Sequence, residues 1–435
     1  MSPLLAGIVG TLVFVVLLLL RIPIGIAMAL VGFAGYSYLV SPEAALRMMA
    51  NDFFGTFSSY SLSVIPMFIW MGFIAYHCGI AGRLYHFAHK AVGHLPGGLA
   101  MASEVAGAIL GAVCGSSTAT TATIGAIAIP EMRKYGYHPS LATASVAASG
   151  GLGIMIPPSV IFVIYGIATE QSIGKLLVAG ILPGMLLCIL YMIATWIIVA
   201  RNPALGPPAA RASFGEVLAS LGRGSTEVLI VFALSIGGLF AGWFTPTEAG
   251  AVGAAGVLAV ALLERSMTWE GFRASLLDTT RTAAMIMFLV AGAIIFGRFF
   301  AISRIPFELG QWVGGLPLPP WAIMGIIIAV HLVLGCFIDA IAMILLTIPI
   351  FYPVAVDALG YDPIWFGVII VMVTILGVIT PPVGMNVYVV KGLAKDVPLE
   401  EIFRGIWPFI IAIVVGCAIL IAVPQIATLL PNMMR

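Results

Sequence analysis

The sequence predicts an all-α polytopic membrane protein built from an inverted repeat, with two re-entrant helical hairpins and two broken transmembrane helices. The 435 residues are 61% hydrophobic and only 9% charged, whereas a soluble domain carries roughly 25% charged residues. Apolar runs of about 18 residues or more, the length that crosses a bilayer, recur along the chain. Short motifs also recur at a constant displacement of 224 positions.

The charge balance and the cysteine pattern exclude several classes of protein. The 19 Lys and Arg residues nearly cancel the 18 Asp and Glu residues, so no basic surface for nucleic acid is expected. The five cysteines stand singly in apolar segments, which favours packing residues over disulfides or a metal cluster. The sequence has no G-x-x-x-x-G-K-[ST] motif, so ATP is not expected to drive this chain directly.

Ten apolar stretches are predicted to span the lipid bilayer, beginning with residues 4–20. This first stretch lacks a basic region and a cleavage site, so we interpret it as a span rather than a signal peptide. Two further stretches, 97–133 and 318–352, have polar or glycine-rich centres. Each is long enough for two half-length helices, and we predict that each forms a hairpin.

The distribution of Lys and Arg residues predicts the orientation of the chain. With the N-terminus outside and both hairpins leaving the membrane on the side they entered, fourteen of the nineteen basic residues lie on one side. Cytoplasmic loops carry such an excess. Treating either hairpin as a full crossing removes the bias, so the pattern favours two re-entrant hairpins that enter from opposite sides.

Recurring motifs indicate that the chain contains two related halves. The segment Gly136-Tyr137-His138-Pro139 recurs as Gly360-Tyr361-Asp362-Pro363, and Pro157-Pro158 recurs as Pro381-Pro382. The predicted topology places the two copies in opposite orientations, an arrangement that is typical of secondary transporters. The first repeat is predicted at 1–222, with hairpin 97–133 and broken helix 139–170, and the second at 223–435, with hairpin 318–352 and broken helix 363–395.

The centre of the first hairpin is unusually rich in hydroxyl groups. Six of the eight residues from 116 to 123 are Ser or Thr. Hydroxyl oxygens coordinate hard cations such as Na⁺, and the N–H groups at a helix N-terminus favour an anion. The alternative is that these hydroxyls only bond back to helix carbonyls.

Two Pro-Pro pairs predict breaks in long apolar helices. Proline removes a helix donor and disfavours α geometry in the residue before it, so Pro157-Pro158 and Pro381-Pro382 each interrupt a helix. Freed carbonyls at membrane depth are tolerated only in protein or along a cavity. Thr380 and Asn386 add side-chain oxygens near the second break, although a kink without ligands is the alternative for either break.

Two charged residues in apolar stretches are candidates for function. Asp339 lies in the second hairpin, where a carboxylate marks an ion or substrate path or else caps the helix after it. Arg298 lies near the end of a span and either meets an anionic substrate or extends to the interface. An intramembrane serine nucleophile at Ser149, with His331 as its base, has nothing to orient it, so no enzyme activity is expected.

Four motifs in order resemble the large membrane subunit of TRAP transporters, the tripartite ATP-independent periplasmic family that is also called DctM-like. The resemblance spans essentially the whole chain. The motifs are Gly115-Ser116-Ser117-x-Ala119-Thr120, Ile156-Pro157-Pro158-Ser159, Phe244-Thr245-Pro246-Thr247-Glu248-Ala249 and Thr380-Pro381-Pro382-Val383-Gly384-Met385-Asn386.

This resemblance implies a multi-pass protein of the bacterial inner membrane with a periplasmic N-terminus and an elevator mechanism. The hairpins and broken helices would form a transport domain that slides against a scaffold of the other helices. Two partners are implied, a separate small subunit of four transmembrane helices (DctQ-like) and a periplasmic substrate-binding protein (DctP-like) that delivers an organic acid. The coupling ion would be Na⁺.

The resemblance also places candidate sites between the hairpin tips and the breaks. A first Na⁺ site would involve Ser116, Ser117, Thr121, Gly151, Gly153 and Ile156. A second would involve Gly335, Asp339, Thr380, Gly384 and Met385. Together with Arg298, the candidates for binding the substrate are Ser116, Ser117, Thr118, Thr120, Pro158, Ser159, Asp339, Pro382 and Asn386.

The predicted function is therefore Na⁺-coupled import of an organic acid, such as a C4-dicarboxylate or a sugar acid. One alternative is a self-sufficient dicarboxylate or citrate carrier that needs no binding protein. A second alternative is a channel, which would conduct without saturation. The sequence leaves open the individual acid, the Na⁺ stoichiometry, the replacement of Na⁺ by protons and the oligomeric state.

Overall fold

The computed structural model describes residues 1–434, without the side chains of residues 221–225, 227, 228 and 314. All regular secondary structure in this part is helical, which confirms the predicted all-α class. In chain order the helices are α1 (Pro3–Leu19), α2 (Ile24–Leu39), α3 (Pro42–Ser58), α4 (Val64–His77), α5 (Ile80–Val92), α6 (Gly98–Cys114), α7 (Ser117–Lys134), α8 (Pro139–Met155), α9 (Val160–Ala168), α10 (Ile173–Ala179), α11 (Ile181–Arg201), α12 (Phe214–Phe240), α13 (Pro246–Leu263), α14 (Trp269–Ser303), α15 (Ile305–Gly314), α16 (Pro320–Gly335), α17 (Ala340–Tyr352), α18 (Pro363–Ile379), α19 (Met385–Leu393), α20 (Leu399–Ala422) and α21 (Gln425–Met433).

Helix length and apolarity agree with a protein that crosses a membrane several times. Within the described part, five helices are long and apolar enough to span a bilayer, and two bent helix pairs raise this number to seven. Helices α3 and α4 meet at 55°, and α8 and α9 meet at 43°. Helices α3 and α5 lie in segments that the hydropathy pattern left unassigned, because polar residues interrupt their apolar faces.

Each of the two interrupted stretches forms two helices, as the sequence predicts. In the first, Gly115 and Ser116 separate α6 from α7. In the second, residues 336–339 separate α16 from α17. In both stretches the two helices pack against each other, so each is a helical hairpin, while its entry from one side of the membrane stays a prediction. We call residues 114–118 the first tip and residues 336–341 the second tip.

The two Pro-Pro segments interrupt the chain where the sequence predicts a break. Helix α8 ends at Met155 and α9 begins at Val160, while α18 ends at Ile379 and α19 begins at Met385. Both Pro-Pro peptide bonds are cis. The predicted boundary between the repeats, after residue 222, falls among residues whose side chains lie outside the description, and the division into repeats stays a prediction.

Glycine pairs bring each hairpin into backbone contact with its broken helix. A Cβ atom on Gly111 of α6 would collide with the Cα atom of Gly153 on α8. In the second half, a Cβ atom on Gly377 of α18 would lie 2.7 Å from the Cα atom of Gly335 on α16. The two pairs are themselves related by the displacement of 224 positions. Small residues permit such close helix crossings in membrane proteins.

The helices pack into two groups that face each other across the hairpin tips. In the α14 bundle, α2 and α4 lie against α14, and α13 packs against α4 and α12. In the α8 bundle, α6, α7, α18 and α20 lie against α8, while α16 packs against α18 and α11 packs against α20. Helix α5 contacts both α6 and α12 and so connects the two bundles. Each bundle combines helices from both halves of the sequence.

We expect Gly377→Ala to lower the free energy of unfolding by about 1–3 kcal/mol, because α16 and α18 would have to move apart. The control is Gly325→Ala in α16, where a Cβ atom would meet open space. Alanine stabilises a helix relative to glycine by about 1 kcal/mol, so this control is expected to hold or raise stability. Thermal unfolding of the detergent-solubilised proteins measures both changes. A Gly377→Ala protein as stable as the control would contradict the tight crossing.

Candidate substrate and ion site

A cavity of about 690 Å³ lies between the hairpin tips and the α14 bundle. One wall is formed by both tips and by the start of α19, and the opposite wall by α4 and α14. Of the residues predicted from the sequence, the cavity lining includes Ser116, Ser117, Thr118, Asp339, Met385 and Asn386. The structure therefore brings the first tip together with the second tip and the second break, both of which lie more than 200 residues further along the sequence.

The first tip presents the N-terminus of α7 to this cavity. Gly115 adopts a left-handed conformation with φ of +61°, and a Cβ atom there would lie 2.6 Å from the carbonyl oxygen of Pro158. The Ser116 hydroxyl caps α7 by accepting a hydrogen bond from the Ala119 N–H at 3.5 Å. Because this cap is neutral, the positive end of the α7 dipole and the N–H groups that the cap does not engage stay available to an anion.

Asn386 connects the first tip to the second broken helix. The Ser117 hydroxyl donates a hydrogen bond to Asn386 Oδ1 at 2.9 Å. Asn386 Nδ2 donates in turn to the carbonyl oxygen of Ala147 on α8 at 3.0 Å. Asn386 is fully buried, so its side chain holds α7, α8 and α19 in register at the edge of the cavity.

A buried oxygen without a partner lies beside the first tip. Thr120 is fully buried, and its hydroxyl oxygen makes no hydrogen bond with any residue that the structure describes. A Cβ atom placed on Gly153 would lie 2.6 Å from this oxygen and 3.1 Å from the carbonyl oxygen of Ser116. Thr120, Ser116 and Gly153 therefore converge on one small space that contains at least two oxygen atoms. Ser116 and Gly153 belong to the predicted first Na⁺ site.

The other residues predicted for the first Na⁺ site are already engaged elsewhere. The Thr121 hydroxyl donates to the carbonyl oxygen of Ser117 at 2.9 Å, and the residue that faces Thr121 on α8 is Gly150. Gly151 instead faces the side chain of Ile375 on α18. The side chain of Ile156 packs near Gly184 on α11.

The first break satisfies its own polar groups. The Ser159 hydroxyl donates to the carbonyl oxygen of Ile154 at 2.6 Å and caps α9 by accepting from the Phe162 N–H at 3.4 Å. Pro158 contributes the carbonyl oxygen that faces Gly115. Pro158 and Ser159 support the first tip from behind, and neither belongs to the cavity lining.

The second tip is organised around Asp339, whose carboxylate caps α17. Asp339 Oδ2 accepts a hydrogen bond from the Ile341 N–H at 3.0 Å, so the carboxylate both lines the cavity and occupies a helix N-terminus. Behind it, Gly335 packs against α18. Among the described residues of this tip and its break, no buried side-chain oxygen is without a partner.

The turn of the second break leaves few free side-chain oxygens. The Thr380 hydroxyl donates to the carbonyl oxygen of Leu376 at 2.5 Å. Gly384 is left-handed with φ of +57°, and Pro382 is exposed. The predicted second Na⁺ site would therefore depend on Asp339 and on backbone carbonyls.

The structure places Arg298 outside the cavity. Its guanidinium forms a bidentate ion pair with Asp52 of α3, at 2.8 and 2.9 Å. Asp52 is 9% exposed, and the pair fastens α3 to α14. Arg298 therefore meets neither the hairpin tips nor the other predicted site residues, and its partner is a carboxylate of the protein itself.

Ser149 and His331, the two residues of the enzyme alternative, form hydrogen bonds with other groups of the protein. The Ser149 hydroxyl donates to the carbonyl oxygen of Val146. His331 lies between the Ile327 carbonyl oxygen and the Thr347 hydroxyl, at 2.9 Å from each. Both side chains have partners of their own, and nothing in their surroundings prepares Ser149 for nucleophilic attack.

Sequence reasoning missed the polar wall that α4 and α14 contribute. Tyr76, Asp278 and Arg281 line the cavity, and Asp278 Oδ2 lies 3.1 Å from His77 Nε2. The signal that could have revealed this wall is the spacing of Asp278, Arg281 and Thr282, which places them on one face of a helix directly before an apolar run. The predicted span began at residue 282, which assigned these charges to a loop.

We expect Ser117 and Asn386 to be energetically coupled. Replacing either by Ala leaves a buried polar partner unsatisfied, which costs about 1–3 kcal/mol. The double variant is expected to lose less than the sum of the single variants, with a coupling energy of about 0.5–1.5 kcal/mol. A double-mutant cycle by thermal unfolding measures this coupling. The control is Asn51→Ala, at an exposed position on α3. Strict additivity would contradict the hydrogen bond.

Comparison with known proteins identifies the family. The family described as "Tripartite ATP-independent periplasmic transporter, DctM component" matches residues 11–426. The C4-dicarboxylate TRAP transporter large permease protein DctM of Pseudomonas aeruginosa is 39% identical over 395 residues, covering 91% of each chain. The sialic acid TRAP transporter large permease protein SiaM of Vibrio cholerae is 32% identical over 418 residues, covering 96% of each.

A solved structure shares the fold. The YdaH transporter of Alcanivorax borkumensis superposes with a TM-score of 0.66 over 90% of each chain, at 15% sequence identity. The relatives are membrane permeases rather than enzymes, which agrees with the expectation of no enzyme activity. The resemblance seen in the motifs is confirmed: this chain belongs to the DctM family, the large permease component of the TRAP transporters.

Proposed function

We propose that this large permease imports an organic carboxylate by Na⁺ symport. The observation that carries the proposal is the cavity between the two tips and the α14 bundle, whose first tip offers a helix N-terminus with a neutral cap. A carboxylate at this N-terminus accepts backbone N–H donors and interacts favourably with the helix dipole. The named relatives act on C4-dicarboxylates and sialic acid, and both classes contain carboxylates.

The space between Thr120, Ser116 and Gly153 suits a sodium ion. Na⁺ is a hard cation that takes hydroxyl and carbonyl oxygens, and the Thr120 hydroxyl is a buried oxygen that has no other partner. A bound Na⁺ would supply positive charge beside the carboxylate site at the first tip. At the second tip, Asp339 with the backbone of Gly335, Thr380, Gly384 and Met385 forms the second proposed site, where the anionic side chain favours a cation.

The two-bundle arrangement supports alternating access of the elevator type. The first tip and helices α8, α16 and α18 belong to the α8 bundle, and both tips face α4 and α14 across the cavity. Movement of the α8 bundle as a unit would carry the tips and the substrate together past α14. In this proposal the α14 bundle is the scaffold. The protein lies in the bacterial inner membrane, and its N-terminus is in the periplasm.

The proposed partners follow from the tripartite family. A four-helix small subunit would cover apolar scaffold surface in the lipid bilayer, and a periplasmic binding protein would deliver the acid. Exposed apolar side chains along α1, including Leu12 and Val16, suit contact with lipid or with that subunit. No nucleic acid is part of the proposed function.

Uptake into proteoliposomes tests the whole proposal. We expect this chain with its small subunit to accumulate labelled succinate or N-acetylneuraminate only with an inward Na⁺ gradient and a loaded binding protein. Omission of either component should reduce uptake to the level of empty liposomes. Saturable uptake by this chain alone, with no response to the binding protein, would instead support the self-sufficient carrier. Uptake driven equally by a proton gradient would contradict Na⁺ coupling.

Replacing Thr120 by Val tests the first Na⁺ site. We expect the Na⁺ concentration for half-maximal uptake to rise at least about fivefold, the effect of losing roughly 1 kcal/mol of ion binding. The unfolding temperature without Na⁺ should not fall, because the buried hydroxyl makes no hydrogen bond that the change would break.

The matched control is Thr143→Val on α8. Thr143 is equally buried, but its hydroxyl donates to the carbonyl oxygen of Pro139 at 2.7 Å. This variant is expected to lose stability while its Na⁺ dependence stays that of the unmodified protein. An unchanged Na⁺ dependence in Thr120→Val would exclude the Thr120 hydroxyl as a ligand.

A further inference from the structure

One face of α14 forms the wall of the cavity opposite the hairpin tips. Asp278, Arg281, Thr282, Met285 and Ile286 all line the cavity. Their spacing of three and four residues places them on a single face of the helix. The polar members lie toward the start of the helix and the apolar members follow, so this wall has a charged end and an apolar end.

Three charged side chains line the cavity, and two of them are already engaged. Asp278 lies within 3.1 Å of the His77 ring, and Asp339 caps α17. Arg281 is exposed to the cavity and forms no hydrogen bond or ion pair with any residue that the structure describes. Its guanidinium donors are therefore not taken up by the described residues and are available to an occupant of the cavity.

The isolation of Arg281 contrasts with other arginines that lie between packed helices. Two of these have a carboxylate partner within 2.9 Å: Arg83 with Glu264, and Arg298 with Asp52. Arg281 has no such acid among the residues that the structure describes, although Asp278 lies on the same face of the same helix.

We propose that Arg281 binds a carboxylate of the transported acid from the α14 side of the cavity. The planar guanidinium matches a carboxylate through two parallel hydrogen bonds, and such charge-assisted bonds are the strong ones. This inference rests on the proposed function and extends it with a second anchor for the acid. The N-terminus of α7 is the first anchor, on the opposite wall, so the substrate bridges the two bundles.

This bridging makes the contact specific to one arrangement of the bundles. Arg281 belongs to α14, whereas the first tip joins α6 and α7, which belong to the α8 bundle. If the α8 bundle moves past α14 during transport, the acid leaves Arg281 while it keeps the contacts of the tips. Arg281 is then a residue that stabilises the substrate in the arrangement seen here.

Uptake rates with a loaded binding protein in excess test the role of the guanidinium. Arg281→Gln is expected to slow uptake at least about tenfold, the effect of roughly 1.4 kcal/mol. Arg281→Lys keeps the positive charge but loses the paired N–H donors of the guanidinium. Its uptake rate is expected to fall between those of Arg281→Gln and the unmodified protein. The control is Arg273→Gln on the same helix, whose side chain is outside the cavity. Any other order of rates overturns the proposal.

Chemical protection gives a readout that does not depend on transport. Phenylglyoxal modifies accessible arginines, and peptide mapping by mass spectrometry reports each position in the unmodified complex. Excess succinate or N-acetylneuraminate is expected to slow modification of Arg281 and to leave Arg273 unaffected. Equal rates at Arg281 with and without either acid overturn this inference. Failure of the unmodified complex to transport in the uptake assay would instead count against the proposed function itself.

Discussion

The backbone contact between each hairpin and its broken helix determines where the cavity lies. Gly111 meets Gly153 in the first half, and Gly335 meets Gly377 in the second. Each contact lies about one turn before the Pro-Pro break and directly before, or within three residues of, the hairpin tip. A helix rises 1.5 Å per residue, so this short separation holds tip and break beside each other. A larger residue at any of these glycines would displace a tip from the wall of the cavity.

This close approach also decides which polar groups are free to bind a ligand. Most hydroxyls near the first tip bond to nearby acceptors, as Thr121 bonds to the carbonyl oxygen of Ser117 and Ser159 to that of Ile154. The Thr120 hydroxyl differs because it faces Gly153, where no side chain is present, and it makes no hydrogen bond with the residues that the structure describes. The glycine that permits the helix crossing is thus also the one that borders the proposed Na⁺ site. In a bilayer, a buried oxygen without a partner is costly, and a cation in that space would offset the cost.

The sequence predicted those features whose causes are local. The breaks follow from proline, which lacks an N–H, and the hairpins follow from polar centres in apolar stretches, so both appeared in the structure where they were expected. Which residues of a helix face the site was harder to predict, because neighbouring residues point about 100° apart around the helix axis. In the structure Gly150, rather than the predicted Gly151, faces Thr121. The Arg298–Asp52 pair joins residues 246 positions apart, and no local pattern marks such a pairing. The cavity wall on α14 was missed because its charges lie where the hydropathy signal ends.

The two tips are related by sequence repeat but differ in charge, and this difference bears on where each ligand binds. Helix α7 begins with the neutral cap Ser116, whereas α17 begins with the carboxylate of Asp339. A helix N-terminus carries roughly half a positive charge, which Asp339 outweighs at the second tip and which stays uncompensated at the first. In the proposed function, an anion in the cavity would therefore be attracted to the first tip and to Arg281, and repelled by the second tip. A cation would have the opposite preference beside Asp339, so in the proposed function the two hairpin tips orient the organic acid and separate it from the coupling ion.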